Sequence, residues 1–381
     1  MTAFAPSAAR LSLGRKLLQI NWGLVLLVTA TAGVGIAMLY SAANGSWNPW
    51  ATRQALRFVF CFFLMLAISV VDIRIWLRHA YGIYGAILVM LVAVEFAGDV
   101  GMGAQRWIDL GVIRLQPSEL MKIGLVLALA RYFHGLSGED VCRLPNLILP
   151  LGMVMVPSVL VLRQPDLGTA LFLIMTGGAV FFIAGVRLWK FAIVAAAGGA
   201  AVPVVWSMLR PYQQKRILTF FDPQTDPLGA GYHILQSKIA LGSGGLFGKG
   251  YMLGSQSHLN FLPEMQTDFI FTMLAEEFGM AGGLTLLGLY LMLMIYGVAI
   301  GLRTRTHFGR LLAMGVTSML FFYVFINIAM VMGLIPVVGV PLPLISYGGT
   351  AMLTLMIGFG LLISCYIHRD ITISRHGNSD S

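Results

Sequence analysis

At 381 residues, 58% hydrophobic and only 11% charged, the chain lacks the polar surface a water-soluble protein of its size requires, where charged residues make up about 25%. The composition excludes a soluble domain and leaves a polytopic membrane protein. The formal charge of +9 does not mark a nucleic-acid binder, because the basic residues are scattered between apolar runs, where they act as topology signals.

Crossing the hydrocarbon core takes about 20 apolar residues. Ten runs qualify: 22–40, 55–71, 80–97, 118–133, 147–162, 167–186, 188–209, 269–300, 311–335 and 349–367. The run 269–300 is long enough to tilt or to project beyond the bilayer. Residues 1–20 carry Arg10, Arg15 and Lys16, and no small-residue cleavage site follows the first run, so that run reads as a retained span. Cys61, Cys142 and Cys365 are scattered and form neither a disulfide framework nor a CxxC metal site.

With the N-terminus in the cytoplasm, the inside segments hold Arg10, Arg15, Lys16, Arg74, Arg78, Arg131, Arg143, Arg187, Lys190, Arg303, Arg305, Arg310, Arg369 and Arg375, which is 14 of the 25 basic residues. Both termini are then cytoplasmic, consistent with the positive-inside rule. The expected fold is an all-α polytopic membrane protein of about ten transmembrane helices with one long structured extracytoplasmic loop. A cytoplasmic tail (1–20) precedes a membrane domain (21–368), and a second cytoplasmic tail (369–381) follows it.

The outer segments are 41–54, 98–117, 163–166, 210–268 and 336–348. A connection as long as 210–268 is usually functional or disordered. Its sequence favours order: apolar residues at 234, 235, 239 and 241 predict a short amphipathic surface helix over 232–241. The stretch Ser243 to Gly250 predicts a flexible glycine-rich turn. This turn is no Walker A loop, because Gly248-Lys249 is followed by Gly250 instead of Ser or Thr.

The segment Phe261 to Phe271 joins this loop to the next apolar helix. Pro263 stops any arriving helix, and Thr267 or Asp268 is placed to cap the new one. Asp268 is either a plain cap or a reactive carboxylate at the positive end of a helix dipole. Glu276 lies farther along and is rotated by about 80° from Asp268, near enough to share a cavity with it; Glu277 follows. Asp166 reads as the cap of the helix after it. Arg210, Lys215, Arg216, Lys238 and Lys249 put positive charge on the outer face, suited to lipid headgroups or to docking a diphosphate. Glu119 and Lys122 share a face at the start of a span, either as a structural ion pair or as the lining of a polar cavity. Trp107 is an interfacial belt residue or a substrate contact.

Six segments in collinear order resemble one family. They are Gly103-Ala-Gln-Arg-Trp-Ile-Asp-Leu-Gly111, Gln116-Pro-Ser-Glu119 with Lys122, Gln164-Pro-Asp-Leu-Gly-Thr169, Gly231-Tyr-His-Ile-Leu-Gln-Ser-Lys238, Leu262-Pro-Glu264 with Thr267-Asp-Phe-Ile-Phe271, and Pro341-Leu-Pro-Leu-Ile-Ser-Tyr-Gly-Gly349. The family is the shape, elongation, division and sporulation (SEDS) family, and Gln164-Pro-Asp with the short N-terminal tail resembles its rod-elongation branch more than its division branch.

That resemblance implies a peptidoglycan glycosyltransferase that polymerises lipid II on the outer face of a bacterial cytoplasmic (inner) membrane. It also implies a class B penicillin-binding protein as partner, among other membrane proteins of the elongation machinery. The family's essential acid falls on Asp268, its loop tryptophan on Trp107, and its intramembrane acid and lysine on Glu119 and Lys122. Trp107, Glu119, Lys122, Arg210, Lys238 and Glu264 are the substrate-binding candidates. An α-linked diphosphate donor and a β-1,4 product require inversion, for which one base and one displacement suffice. The departing diphosphate calls for cations, whether Arg and Lys side chains or a divalent ion such as Mg or Mn. No His/Asp cluster has ligand spacing. A lipid II flippase is the alternative, but a transporter would show repeated halves with matching interrupted spans, and none is present. A non-catalytic cell-wall scaffold is a third reading, and it has no need of Asp268.

Overall fold

The computed structural model describes residues 13–97, 99–101, 104–109, 114–208, 214, 218–220, 222, 230–255 and 264–373. After a short α1 (Leu13–Leu18), each of the ten apolar runs is a helix. These are α2 (Trp22–Ala42), α3 (Ala51–Val70), α4 (Ile73–Ala97), α5 (Pro117–His134), α6 (Pro145–Arg163), α7 (Leu167–Ile183), α8 (Leu188–Met208), α10 (Ile270–Arg303), α11 (His307–Val331) and α12 (Gly349–Ile367). Between α8 and α10 lies α9 (Ala230–Ser243). Seven of the ten are long and apolar enough to cross a membrane by themselves, while α7 and α8 are shorter apolar helices. The eighteen residues of α5 carry Glu119, Lys122 and Arg131, a charge content that only a helix shielded by others tolerates.

Shielding is what α5 receives. It is buried along nearly its whole length and packs against α4, α6, α7, α11 and α12. Small residues let the helices approach closely. A Cβ at Gly297 would lie 2.1 Å from Thr317 Oγ1, which keeps α10 against α11, and one at Gly315 would lie 2.6 Å from Val126, which keeps α11 against α5. Leucines and phenylalanines of α3, α6 and α8 face outward instead, as a lipid-facing rim requires.

Three details depart from the sequence reading. The connection 98–117 contains an antiparallel three-stranded sheet, β1 (Asp99–Gly101), β2 (Ala104–Asp109) and β3 (Arg114–Leu115), within a fold expected to be all-α. Trp107 and Ile108 favour extended backbone, and Arg114 Nε meets Asp109 Oδ2 at 3.3 Å across the β2–β3 pair.

The long α10 is broken at Gly279, whose φ of 66° and ψ of −161° leave the helix. A break there separates the N–H groups of Met280 and Ala281 from the carbonyls of Glu276 and Glu277, their regular partners four residues back. The glycine-rich turn supplies replacements for all four groups. Met280 N donates to Gly245 O at 2.9 Å and Ala281 N to Leu246 O at 3.0 Å, while Lys249 N donates to Glu276 O at 3.0 Å and Gly250 N to Glu277 O at 2.9 Å.

The turn is therefore a docked splint and not the flexible hinge its composition suggested. Its glycines are needed for contact: a Cβ on Gly244 would lie 2.1 Å from Ala275 O, and one on Gly248 would lie 2.1 Å from Glu277 O.

Candidate functional site

The helix α10 begins at Ile270, with Phe269 at the cap position and no side-chain hydrogen bond there. The expectation that Thr267 or Asp268 would cap it is not met, because residues 264–269 form a tight turn of their own. Glu264 organises that turn from the left-handed region, at φ 58°. Its carbonyl accepts from Thr267 N at 3.1 Å, and its Oε2 accepts from Thr267 Oγ1 at 3.0 Å. Glu264 thus acts here as a turn former.

Three consecutive carbonyls of the turn are held by outside donors. Tyr347 N donates to Gln266 O at 2.8 Å, Ser346 Oγ to Thr267 O at 2.5 Å, and Asn327 Nδ2 to Asp268 O at 2.9 Å. The second amide hydrogen of Asn327 reaches Val340 O at 2.8 Å. Gln54 on α3 donates to Ser346 O at 2.9 Å, so the loop 336–348 is itself anchored. The half-buried Asp268 side chain is presented beside Gly339, where a Cβ would lie 3.4 Å from Asp268 Oδ2.

Below this turn α11 carries Tyr323, one helical turn before Asn327. Tyr323 completes a closed polar triangle with the predicted pair. Lys122 Nζ donates to Glu119 Oε1 at 2.5 Å and meets the Tyr323 hydroxyl oxygen at 2.6 Å, while that hydroxyl donates to Glu119 Oε2 at 2.5 Å. The rings of Phe172 and Tyr323 cover the ammonium at 4.4 Å each, a cation–π arrangement worth about 2 kcal/mol when desolvated. Glu119 is 5% exposed and Lys122 1%, so the pair is sealed in this conformation and lines no open cavity.

Glu276 has partners of its own. It is fully buried, with Lys249 Nζ at 2.7 Å and Ser255 Oγ at 3.2 Å from Oε1. Glu277 accepts from Ser41 Oγ at 2.5 Å and ties α10 to α2. Of the five outer cations, Lys249 is thereby neutralised. Arg210, Lys215 and Arg216 lie outside the described residues, and Lys238 is exposed on α9. The surface helix is seated through its small residues: Ser237 Oγ lies 2.9 Å from Thr272 Oγ1 and donates to Val331 O at 2.8 Å. Leu235, Lys238 and Ile239 are left on the open face. Thr272 is four residues past Asp268, so Lys238 stands next to an anchor on the first turn of α10.

Trp107 is half-buried on β2, beside the arginine that locks this strand down. Arg106 donates to Gln164 O at 3.1 Å and to Pro165 O at 2.6 Å, and lies 3.5 Å from Asp166 Oδ2. Asp166 caps α7 as expected, with Thr169 N at 3.1 Å. Two of the motifs that carried the resemblance are thus one structural unit. Among the described residues no three His, Cys, Asp or Glu side chains converge as metal ligands.

Sequence reasoning missed Asn327, Tyr323, Ser346 and Gln54. Each is a polar side chain inside or beside an apolar run, and Asn327 is the one amide side chain of α11. Such residues inside a span rarely face lipid, and that signal was available.

This arrangement matches known proteins along most of its length. Residues 15–371 match the cell cycle protein family of FtsW, RodA and SpoVE. The chain belongs to this family. Among FtsW/RodA/SpoVE relatives, the chain is 44% identical to the peptidoglycan glycosyltransferase MrdB of Escherichia coli K12, over 91% of this chain and 93% of that one. It is 32% identical to the peptidoglycan glycosyltransferase RodA of Treponema pallidum, over 92% and 98%. Among solved structures, a chain of a peptidoglycan synthase complex coordinating polymerization and crosslinking superposes with TM-score 0.81 at 33% identity, covering 92% of this chain and 98% of that one. The rod shape determining protein RodA of Thermus thermophilus gives TM-score 0.70 at 30% identity, covering 92% and 98%. Members of the FtsW/RodA/SpoVE family are polytopic membrane proteins, as this chain is.

Proposed function

We infer that this protein is a peptidoglycan glycosyltransferase of the rod-elongation type, polymerising lipid II by inverting displacement. The observation that carries the reading is the Asp268 turn, in which three consecutive carbonyls are pinned from two other segments so that the carboxylate side chain is presented beside Gly339. A base in so fixed a position can take the proton of the acceptor 4-hydroxyl as that oxygen attacks the anomeric carbon. General base catalysis of this kind contributes typically about 10²–10⁴-fold. The C–O bond to the diphosphate breaks in the same step, and the electron pair leaves with the phosphate.

The leaving diphosphate is met by cations. We assign this role to Lys238, exposed on α9, with Arg210 as its companion from the sequence. Trp107, on a strand fixed by Arg106, forms a side wall. Glu264 shapes the turn that carries the base, and Glu119 with Lys122 acts from beneath, through Tyr323 and α11, without touching substrate. The Asp268 end of the bundle faces outward and both termini are cytoplasmic, in keeping with the distribution of arginine and lysine. A class B penicillin-binding protein is the partner that would crosslink the strands; the similarity to a chain of a peptidoglycan synthase complex supports this.

The test is polymerisation of purified lipid II by the protein co-purified with that partner. Asp268→Asn should yield no glycan while retaining its melting temperature and its partner. Glycan synthesis at the wild-type rate by the Asn variant would remove Asp268 from the mechanism.

A further inference from the structure

We propose that Asn327 is a positioning residue for the reaction, holding Asp268 and the Gly339-Val340 backbone in register from inside the bundle. The proposal rests on the reading of Asp268 as the base. Of the three donors that pin the Asp268 turn, two come from the loop 336–348, which is itself a connection. The third, Asn327, comes from a buried helix outside that loop, and its amide bonds both the turn and the loop, at 2.9 Å to Asp268 O and 2.8 Å to Val340 O.

The chemistry of the side chain is specific to this task. Bridging two carbonyls takes two hydrogens on one atom, fixed in a plane, which an amide supplies. A carboxylate of the same shape has none, and a hydroxyl has one. Asn327 is 0% exposed, and its Oδ1 is buried without a hydrogen-bond partner. An orphaned buried acceptor costs stability, so the amide is poorly explained as a device for packing alone. Its bonds set the separation between the residue bearing the carboxylate and the residue after Gly339, beside which Asp268 Oδ2 lies.

A base displaced by about 1 Å can lose about 10²-fold in rate. Asn327→Leu, of similar volume, and Asn327→Ala should each lower kcat for lipid II polymerisation by about that factor. KM should stay within about twofold, because Asn327 touches no substrate. Asn327→Gln, which keeps both hydrogens on a longer stem, should recover part of the loss.

The outcomes separate the two readings. If Asp268→Asn is inactive and Asn327→Leu retains wild-type kcat, the positioning role is wrong and the base assignment stands. If Asp268→Asn is fully active, the base assignment fails and the positioning role fails with it. If every Asn327 variant loses melting temperature and folded yield in proportion to rate, or Asn327→Gln recovers nothing, the residue is structural only and the proposal is overturned.

Discussion

Gly248 and Gly279 meet backbone to backbone: a Cβ on Gly279 would lie 2.4 Å from the Gly248 nitrogen, and one on Gly248 would lie 2.1 Å from the carbonyl oxygen of Glu277. The kink in α10 and the turn that splints it thus exist only together. Each satisfies the backbone groups that the other leaves open, as buried backbone requires.

The splint makes a sharp contrast between neighbouring glycines. Gly248→Ala should push the turn off α10 and expose freed backbone groups, lowering the melting temperature in detergent and the polymerisation rate together. Gly242→Ala should be neutral or slightly stabilising, because nothing lies within 4 Å of its Cβ position and alanine is favoured over glycine in a helix by about 1 kcal/mol. Equal melting curves for the two variants would dismiss the splint.

The Lys249–Glu276 contact should be asymmetric under mutation. Glu276 has no exposed side-chain surface, while the Lys249 side chain is 29% exposed. Lys249→Met removes the cation beside a fully buried carboxylate, a loss that costs about 3–5 kcal/mol. Glu276→Gln leaves an ammonium able to swing toward water and should cost clearly less. Chemical denaturation of the two variants in parallel reads the difference, and the reverse order would contradict the burial.

The Glu119–Lys122–Tyr323 triangle should behave as one unit. Glu119→Gln and Lys122→Met each leave a buried charge unmatched and should cost about 3–5 kcal/mol. The double variant should recover part of that loss. Tyr323→Phe removes one hydroxyl and should cost about 1–3 kcal/mol, with a loss of activity transmitted along α11. Additive losses in the double variant would show that the charges are not coupled.

Lys238 is exposed, and among the described residues it has no hydrogen bond or ion pair that its removal would break. Lys238→Ala should raise KM for lipid II without changing the melting temperature. Lys238→Arg should restore part of the affinity, since charge is kept and geometry is not. Initial rates against lipid II concentration decide the matter. A wild-type curve for the alanine variant would place the diphosphate elsewhere.

The ten spans were legible in the residues alone because the bilayer imposes a length and a hydropathy on each helix locally, and because arginine and lysine mark the loops. Asp268, the Glu119–Lys122 pair and the Asp166 cap were legible for the same local reason, each being a charged residue beside or inside an apolar run. What the tertiary structure decided is the company those residues keep. Tyr323 reaches Glu119 across 204 positions, Ser41 reaches Glu277 across 236, and Gln54 reaches Ser346 across 292. No periodicity encodes such pairings, because they follow from which helix faces pack together. The glycine turn is the plainest case. Its composition permits motion, and only the break at Gly279, with four backbone groups in need of partners, makes it rigid.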